Sequence, residues 1–250
     1  MHMTTVSIAE PATFDAAAFA AQALSSPAAL AAVLDHTLLR PESTRAHIIR
    51  LCHEAAEHGF ACAIVNPVWV SVAVETLAGT GVRTGTVVGF PLGASLPGSK
   101  ADQARRLVKI GALDLDMVLS IGILKSGTKD DFEAVKKDIR GVVEVARGAG
   151  AVVKVILETC LLSFEEKHRA TEIALAAGAD FVQTSTGYST GGATVDDITL
   201  MRSVAGDRMG VKATGGVRSL ADASAMLHAG ATRIGASASV KIVTELAAKA

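Results

Sequence analysis

Apolar residues in this chain follow two alternating rhythms: short, nearly continuous runs, and longer stretches in which they return every third or fourth position. The runs are VLDHTLL from Val33, HGFACAIVN from His58, RTGTVVGFP from Arg83, GALDLDMVLS from Gly111, GAGAVVKVILET from Gly148, GADFVQTSTG from Gly178, MGVKATGG from Met209 and GATRIGAS from Gly230. Such runs suit strands buried on both faces, as in a parallel sheet covered by helices. Five of them follow Gly or Gly-Ala, the usual way a helix ends in a left-handed residue and feeds the next strand.

The stretches between have helical spacing, as in SKADQARRLVKI from Ser99, KDDFEAVKKDIRGVVEVAR from Lys129 and FEEKHRATEIALAAG from Phe164. Cap residues mark several starts: Ser43 before TRAHIIRLCHEAAEH, Ser163 with Glu166 three residues on, Thr194 before VDDITLMRSV, and Ser219 with Asp222. Eight strands alternating with helices predict an α/β chain with a TIM (β/α)8 barrel over residues 33–250. Residues 1–32 are expected to form a helical extension, with one helix drawn from the Ala-rich stretch Pro11 to Ala32. An open doubly wound sheet is the alternative, but it usually carries G-x-G-x-x-G after its first strand, and that motif is missing.

A length of 250 residues suits one barrel domain, and half the residues are apolar with only 4% aromatic, so the core is expected to be Ala, Val, Leu and Ile. A formal net charge of -1 gives no support to a nucleic-acid or membrane surface, which leaves a small molecule as the expected partner. Cys52, Cys62 and Cys160 form neither a CxxC pair nor a zinc spacing, so neither a disulfide framework nor a metal site is expected. Met1 and His2 read as a cloning remnant ahead of Met3, and the N-terminus lacks a secretory pattern, so a cytoplasmic location is expected.

In barrels of this kind chemistry collects where strands end and loops begin. Alternate strand residues point inward, which places Asp116 of LDLDMVLS, Lys154 and Glu158 on one face of VVKVILET, and Lys212 of GVKATGG in a low-dielectric interior. Buried charges need partners, so they form either a purely structural ion network or a set whose members tune one another for catalysis. Separately, TSTGYSTGG, ATGGVRS and RIGASAS end the last three strands with glycines and small hydroxyls ahead of helix N-termini, an arrangement suited to phosphate. The candidates there are Thr184, Gly187, Gly215, Gly216, Arg218, Gly235 and Ser237. His47, His53 and His58 read as a solvated helix face, and His36 as a hydrogen-bonding residue at the barrel mouth rather than a base.

The motifs DHTLL from Asp35, VNPVWV from Val65, VVGFPLG from Val87, LKSG from Leu124, VKVILET from Val153, TSTG from Thr184, VKATGGVR from Val211 and RIGAS from Arg233 occur in order, and together the chain resembles the deoxyribose-phosphate aldolase family. The resemblance implies reversible cleavage of 2-deoxy-D-ribose 5-phosphate to glyceraldehyde 3-phosphate and acetaldehyde, with no metal or cofactor. It implies a Schiff-base lysine on the sixth strand, a proton-shuttling aspartate matched by Asp116, and a second lysine matched by Lys212 that keeps the first reactive. Gln183 stands where the Schiff-base lysine is expected. An amide nitrogen is neither basic nor nucleophilic enough to make an iminium.

Other positions also depart from the family's habit: Ile64 for a common cysteine, Ser120 for asparagine, Ile123 for a smaller residue, Tyr188 for phenylalanine or lysine, and Ala238 for a phosphate-binding serine. The expectations are therefore an aldolase-type enzyme whose native turnover is crippled or redirected, a non-catalytic sugar-phosphate-binding barrel, or acid–base chemistry with Asp116 or Glu158 as base and Lys212 as electrophile. Lys154 is expected as a supporting cation, Lys212 as a candidate substitute nucleophile, and a homodimer as the assembly.

Overall fold

The computed structural model describes residues 14–249. Its frame is a closed barrel in which each strand pairs in parallel with the next, and the last with the first. The strands are β1 (Leu34–Leu38), β2 (Cys62–Val65), β3 (Arg83–Val88), β4 (Asp114–Val118), β5 (Val152–Ile156), β6 (Phe181–Gln183), β7 (Gly210–Thr214) and β8 (Arg233–Ala236). Each lies inside one of the eight predicted runs. The α-helices are α1 (Ala16–Ala23), α2 (Pro27–Ala31), α3 (Arg45–His58), α4 (Val70–Leu77), α5 (Pro97–Ile110), α6 (Ile121–Ser126), α7 (Lys129–Gly148), α8 (Phe164–Ala177), α9 (Val195–Ala205), α10 (Leu220–His228) and α11 (Ser239–Ala247), with short 3-10 turns at Pro67–Trp69 and Thr159–Leu161.

The glycine signal works physically as expected. Gly59, Gly111 and Gly178 close α3, α5 and α8 in left-handed geometry, with φ of 67°, 116° and 86°. Ser163 caps α8 with a reciprocal bond from Glu166, and Thr194 and Ser219 cap α9 and α10. At α3 the cap is Thr44 rather than Ser43: its hydroxyl accepts from the His47 N–H and the His47 ring accepts from the Thr44 N–H. The expected single N-terminal helix is two, because Ser26 caps a new helix with Pro27 in its first turn, where a missing N–H costs nothing. Helix α1 packs on α10 and α2 on α11, so both lie against the barrel. Met1 to Thr13, including the start of the Ala-rich stretch and the remnant at Met1 and His2, lie outside the described residues.

Two apolar clusters divide the interior. The large one fills the space between strands and helices, with outward strand residues such as Leu115, Val153, Val182 and Val211 fully buried. The small one, Cys62, Ile64 and Val87 with Leu39 and Phe90 against it, lies within the barrel lumen. Beside it the lumen holds the charged residues Asp35, Asp114, Asp116, Lys154 and Lys212, and that contrast directs attention to the site.

Candidate active site

The barrel lumen carries an ion network assembled by strand parity. Asp114 and Asp116 are two residues apart on β4 and so share its inward face, while register pairs Asp116 with Lys154 and Gln183 with Lys212. Lys212 Nζ donates to Asp116 Oδ2 at 2.6 Å and forms an ion pair with Asp35 Oδ2 at the same distance. Lys154 Nζ donates to Asp114 and, at 3.2 Å, to Asp116 Oδ1, with Asp35 Oδ2 at 3.6 Å. Arg83 pairs with Asp114 and Arg233 with Asp35, so every carboxylate of the set meets at least two cations. Gly235 leaves room for this packing, since a Cβ there would stand 3.0 Å from Lys212 Cε and 2.3 Å from Thr214 Cγ2.

Burial alone would raise the Asp35 carboxyl's pKa, but Lys212, Lys154 and Arg233 outweigh it and hold it well below the usual carboxylate range. For Lys154 burial alone would favour the neutral amine, but Asp116, Asp35 and Asp114 outweigh it and hold the ammonium well above the ordinary lysine range. Lys154 is thus a fixed cation beneath Asp116 and does not line the open cavity. Asp116 bridges the two lysines, one carboxylate oxygen to each.

Above the network opens a cavity of about 490 Å³ whose lining includes Asp116, Gln183, Lys212 and Thr214, a size suited to a small ligand. Gln183 is only 4% exposed. Thr214 fixes which way its amide faces: the threonine hydroxyl donates its one hydrogen to the Ser185 carbonyl at 2.6 Å, so toward Gln183 it can only accept. Gln183 Nε2 therefore donates to Thr214 Oγ1 at 3.1 Å, and the amide oxygen is turned away without a partner among the described residues. An unpaired buried acceptor costs about 1–3 kcal/mol.

The phosphate candidates separate into two groups. Gly187, Gly215, Gly216, Arg218, Gly235 and Ser237 all line the cavity, and Gly215 and Gly216 hold φ of 85° and 84°, a turn that side chains resist. Thr184 instead braces the barrel wall. It is fully buried, and its hydroxyl donates to the Thr214 carbonyl at 2.9 Å while accepting from the Thr214 N–H at 3.0 Å, tying the end of β6 to that of β7. Ser237 is followed by Ala238, which starts α11 without a side-chain cap.

Besides Lys154, three supporting candidates lie outside the cavity lining. Glu158 does not share a face with Lys154, because β5 ends at Ile156 and Glu158 takes a left-handed turn with φ of 58°, which breaks the strand alternation. Its carboxylate instead accepts from the Thr186 N–H at 3.2 Å and from the Thr186 hydroxyl. Ser120 joins a separate buried cluster in which Lys100 Nζ donates to its hydroxyl at 3.0 Å and to Asp138 at 2.6 Å. Ile64 belongs to the apolar patch under the mouth with Val87. His36 lies outside the ion network, beside Glu54 at 2.9 Å. Among the described residues no cluster of His, Cys, Asp and Glu is placed to hold a metal ion, and no helix is long and apolar enough to cross a membrane.

Asp35, Asp114, Arg83 and Arg233 were not assigned to the network from sequence. Parity could have added Asp114, two residues before Asp116, and Arg233, two before Gly235. The cross-barrel meeting of Asp35 with Lys212 depends on closure of β1 against β8 and has no local signal.

Comparison with known proteins identifies the family. A family model described as DeoC/LacD family aldolase matches residues 29–243. Deoxyribose-phosphate aldolase from Listeria monocytogenes is 55% identical over 215 residues, 86% of this chain and 95% of that protein. The enzyme of the same name from Geobacillus sp. is 53% identical over 214 residues, again 86% of this chain and 94% of its own. Among solved structures, the tetrameric deoxyribose phosphate aldolase from Aeropyrum pernix superposes with a TM-score of 0.84 at 37% identity, covering 96% of this chain and all of that one. With barrel, family model and relatives in agreement, the chain belongs to the DeoC/LacD family of aldolases, which are carbon–carbon lyases.

Proposed function

We propose that the cavity is a deoxyribose-phosphate aldolase site that still receives the sugar phosphate but has lost efficient cleavage, because Gln183 occupies the place of the Schiff-base lysine. One observation carries the reading: Gln183 is the register partner of Lys212 and lines the same cavity as Asp116. A retro-aldol step through an imine needs a free amine to attack the carbonyl and a protonated iminium to take up the electron pair of the breaking bond. Gln183 supplies neither. Lys212 supplies an amine, yet its Nζ is held by two carboxylates at 2.6 Å, a hydrogen bond to Asp116 and an ion pair with Asp35, so to act as substitute nucleophile it must leave both.

The remaining parts suit substrate capture. The loops after β7 and β8 bring Gly215, Gly216 and Ser237 to one side of the cavity, with Arg218 at the edge, a setting for a phosphate dianion. The partner on this reading is a small sugar phosphate or aldehyde, with no cofactor required. The unpaired, buried thiols of Cys52 and Cys62 fit a reducing cytoplasm. We take the assembly to be a homodimer, which sedimentation velocity distinguishes from a larger one.

The deciding experiment is Gln183→Lys assayed for cleavage of 2-deoxyribose 5-phosphate. A large gain is expected, and no gain overturns the assignment of position 183. A second reading, acid–base chemistry without a covalent step, is favoured by the Lys212–Asp116 pair, an electrophile and a base in contact at 2.6 Å. It predicts proton exchange at the acetaldehyde methyl group without any adduct trapped by borohydride.

A further inference from the structure

A side chain crosses the barrel mouth. Tyr188, on the loop after β6, donates its hydroxyl to the carbonyl oxygen of Leu39, just past β1, at 2.7 Å. β6 and β1 stand three places apart around the eight-stranded ring, so this bond is a chord over the cavity. It leaves the β7 and β8 loops on its short side and the β2 to β5 loops on its long side. On the long side the Tyr188 ring meets Phe90 edge-on, with centroids 5.4 Å apart at 87°.

Both ends of the chord are anchored. The Leu39 carbonyl also accepts from Asn66 Nδ2 at 2.8 Å, which ties it to the loop after β2. The Tyr188 N–H donates to the Thr186 hydroxyl at 3.0 Å, and Thr186 is held through its own N–H and hydroxyl by Glu158. Glu158 adopts a left-handed conformation uncommon for a residue other than glycine, and that turn directs its carboxylate to the β6 loop. The unexpected placement of Glu158 thus has a consequence at the mouth: it holds the base of the loop that carries Tyr188.

We propose that Tyr188 is the specificity-determining residue of this cavity, a latch whose bond to Leu39 limits the length of sugar phosphate accepted and slows its departure. The inference rests on the sugar-phosphate reading above for the identity of the ligand, though not for the existence of the latch. A ligand with its phosphate among the β7 and β8 loops and its reactive carbon near Gln183 and Lys212 fills the short side of the chord, in the cavity that Tyr188 and Phe90 also line. One further carbon on the chain brings it against the Tyr188 and Phe90 rings. Phenylalanine at position 188 would keep the aromatic contact and lose the latch, so the hydroxyl and the ring have separable roles.

The test uses the full-length protein with Tyr188→Phe, which deletes only the hydroxyl, and Tyr188→Ala, which deletes the ring as well. Backbone amide exchange across residues 186–192, measured without ligand, is expected to quicken in Tyr188→Phe by about two- to ten-fold, the effect of one lost hydrogen bond. The dissociation rate of 2-deoxyribose 5-phosphate is expected to rise by a similar factor, with inorganic phosphate affinity unchanged. Tyr188→Ala should narrow the preference for 2-deoxyribose 5-phosphate over 2-deoxyglucose 6-phosphate by about ten-fold, within the range one extra carbon is worth in a packed pocket. Unchanged loop exchange in Tyr188→Phe overturns the latch, and unchanged preference in Tyr188→Ala overturns the length limit. If the parent binds neither sugar phosphate, the substrate reading fails while the exchange result still decides the latch.

Discussion

Gln183 and Lys212 are paired across β6 and β7, the one with an amide oxygen that has no partner among the described residues, the other with an ammonium shared between Asp35 and Asp116. The nitrogen that could attack a carbonyl is engaged, and its register partner on β6 is inert. Placing an amine at 183 restores a nucleophile beside an existing cation. Gln183→Lys is therefore expected to raise cleavage of 2-deoxyribose 5-phosphate by at least on the order of 10³-fold, short of the roughly 10⁶-fold that loss of a covalent nucleophile costs elsewhere. Borohydride reduction with acetaldehyde should then label residue 183. A label on Lys212 in the unsubstituted protein would instead show that Lys212 leaves its carboxylates to form the imine.

The same pairing makes Lys212 a structural residue. Lys212→Met removes a buried cation from between two carboxylates, leaving Asp116 to Lys154 and Asp35 to Arg233 and the more distant Lys154. Breaking one side of a buried ion pair costs about 3–5 kcal/mol. Urea unfolding should show a lower midpoint at constant slope. Asp116→Asn, which keeps an acceptor for Lys212, is expected to cost less than Lys212→Met, and the reverse order would mean that Asp116 rather than Lys212 organises the network.

Legibility in the sequence followed the range of the forces involved. The barrel was readable because its signals are local: apolar runs for β1 to β8, left-handed glycines at 59, 111 and 178, and the caps Ser163, Thr194 and Ser219. Errors arose where two local signals competed. Ser43 and Thr44 are both good caps, and only the reciprocal bond with His47 selects Thr44; Ser26-Pro27 starts a new helix inside what composition reads as one. In the site, parity placed Asp116, Lys154 and Lys212 correctly in the lumen, then failed at Glu158, where the strand had already ended and one left-handed residue turned the side chain to Thr186. The Asp35–Lys212 contact and the chord from Tyr188 to Leu39 join segments more than 140 residues apart, as the latter's separation of 149 shows, and depend on closure rather than on pattern.

Thr214 is the hinge on which the Gln183 amide is oriented. Its hydroxyl accepts from Gln183 Nε2 at 3.1 Å and from the Ser185 N–H at 3.3 Å while donating to the Ser185 carbonyl. Thr214→Val keeps the shape and removes all three bonds, leaving the Gln183 amide unpaired at both ends. A loss of about 1–3 kcal/mol in unfolding free energy is expected. Thr214→Ser, which keeps the hydroxyl, should recover most of it. If Thr214→Val were neutral, the amide would be free to turn and the orientation assigned to Gln183 would be wrong.

His36 provides the pH test. Burial lowers its pKa by more than the Glu54 carboxylate beside it raises it, and His58 adds a small push in the same direction as burial. The folded pKa therefore lies below the unfolded value of about 6.5, so the unfolded chain binds this proton more readily. The stability that His36 contributes is fully present above about pH 6.5 and is lost as pH falls through the interval down to the folded pKa. Glu54 sits on the surface side of the pair and His36 on the buried side, with side-chain exposures of 37% and 4%, so solvent weakens the carboxylate's hold on the imidazolium. The stability of the parent relative to His36→Gln, measured by urea unfolding at about pH 8, 6.5 and 5, should decline across the series. A difference that grows as the pH is lowered would mean that the charged His36–Glu54 pair dominates and that burial is the lesser effect.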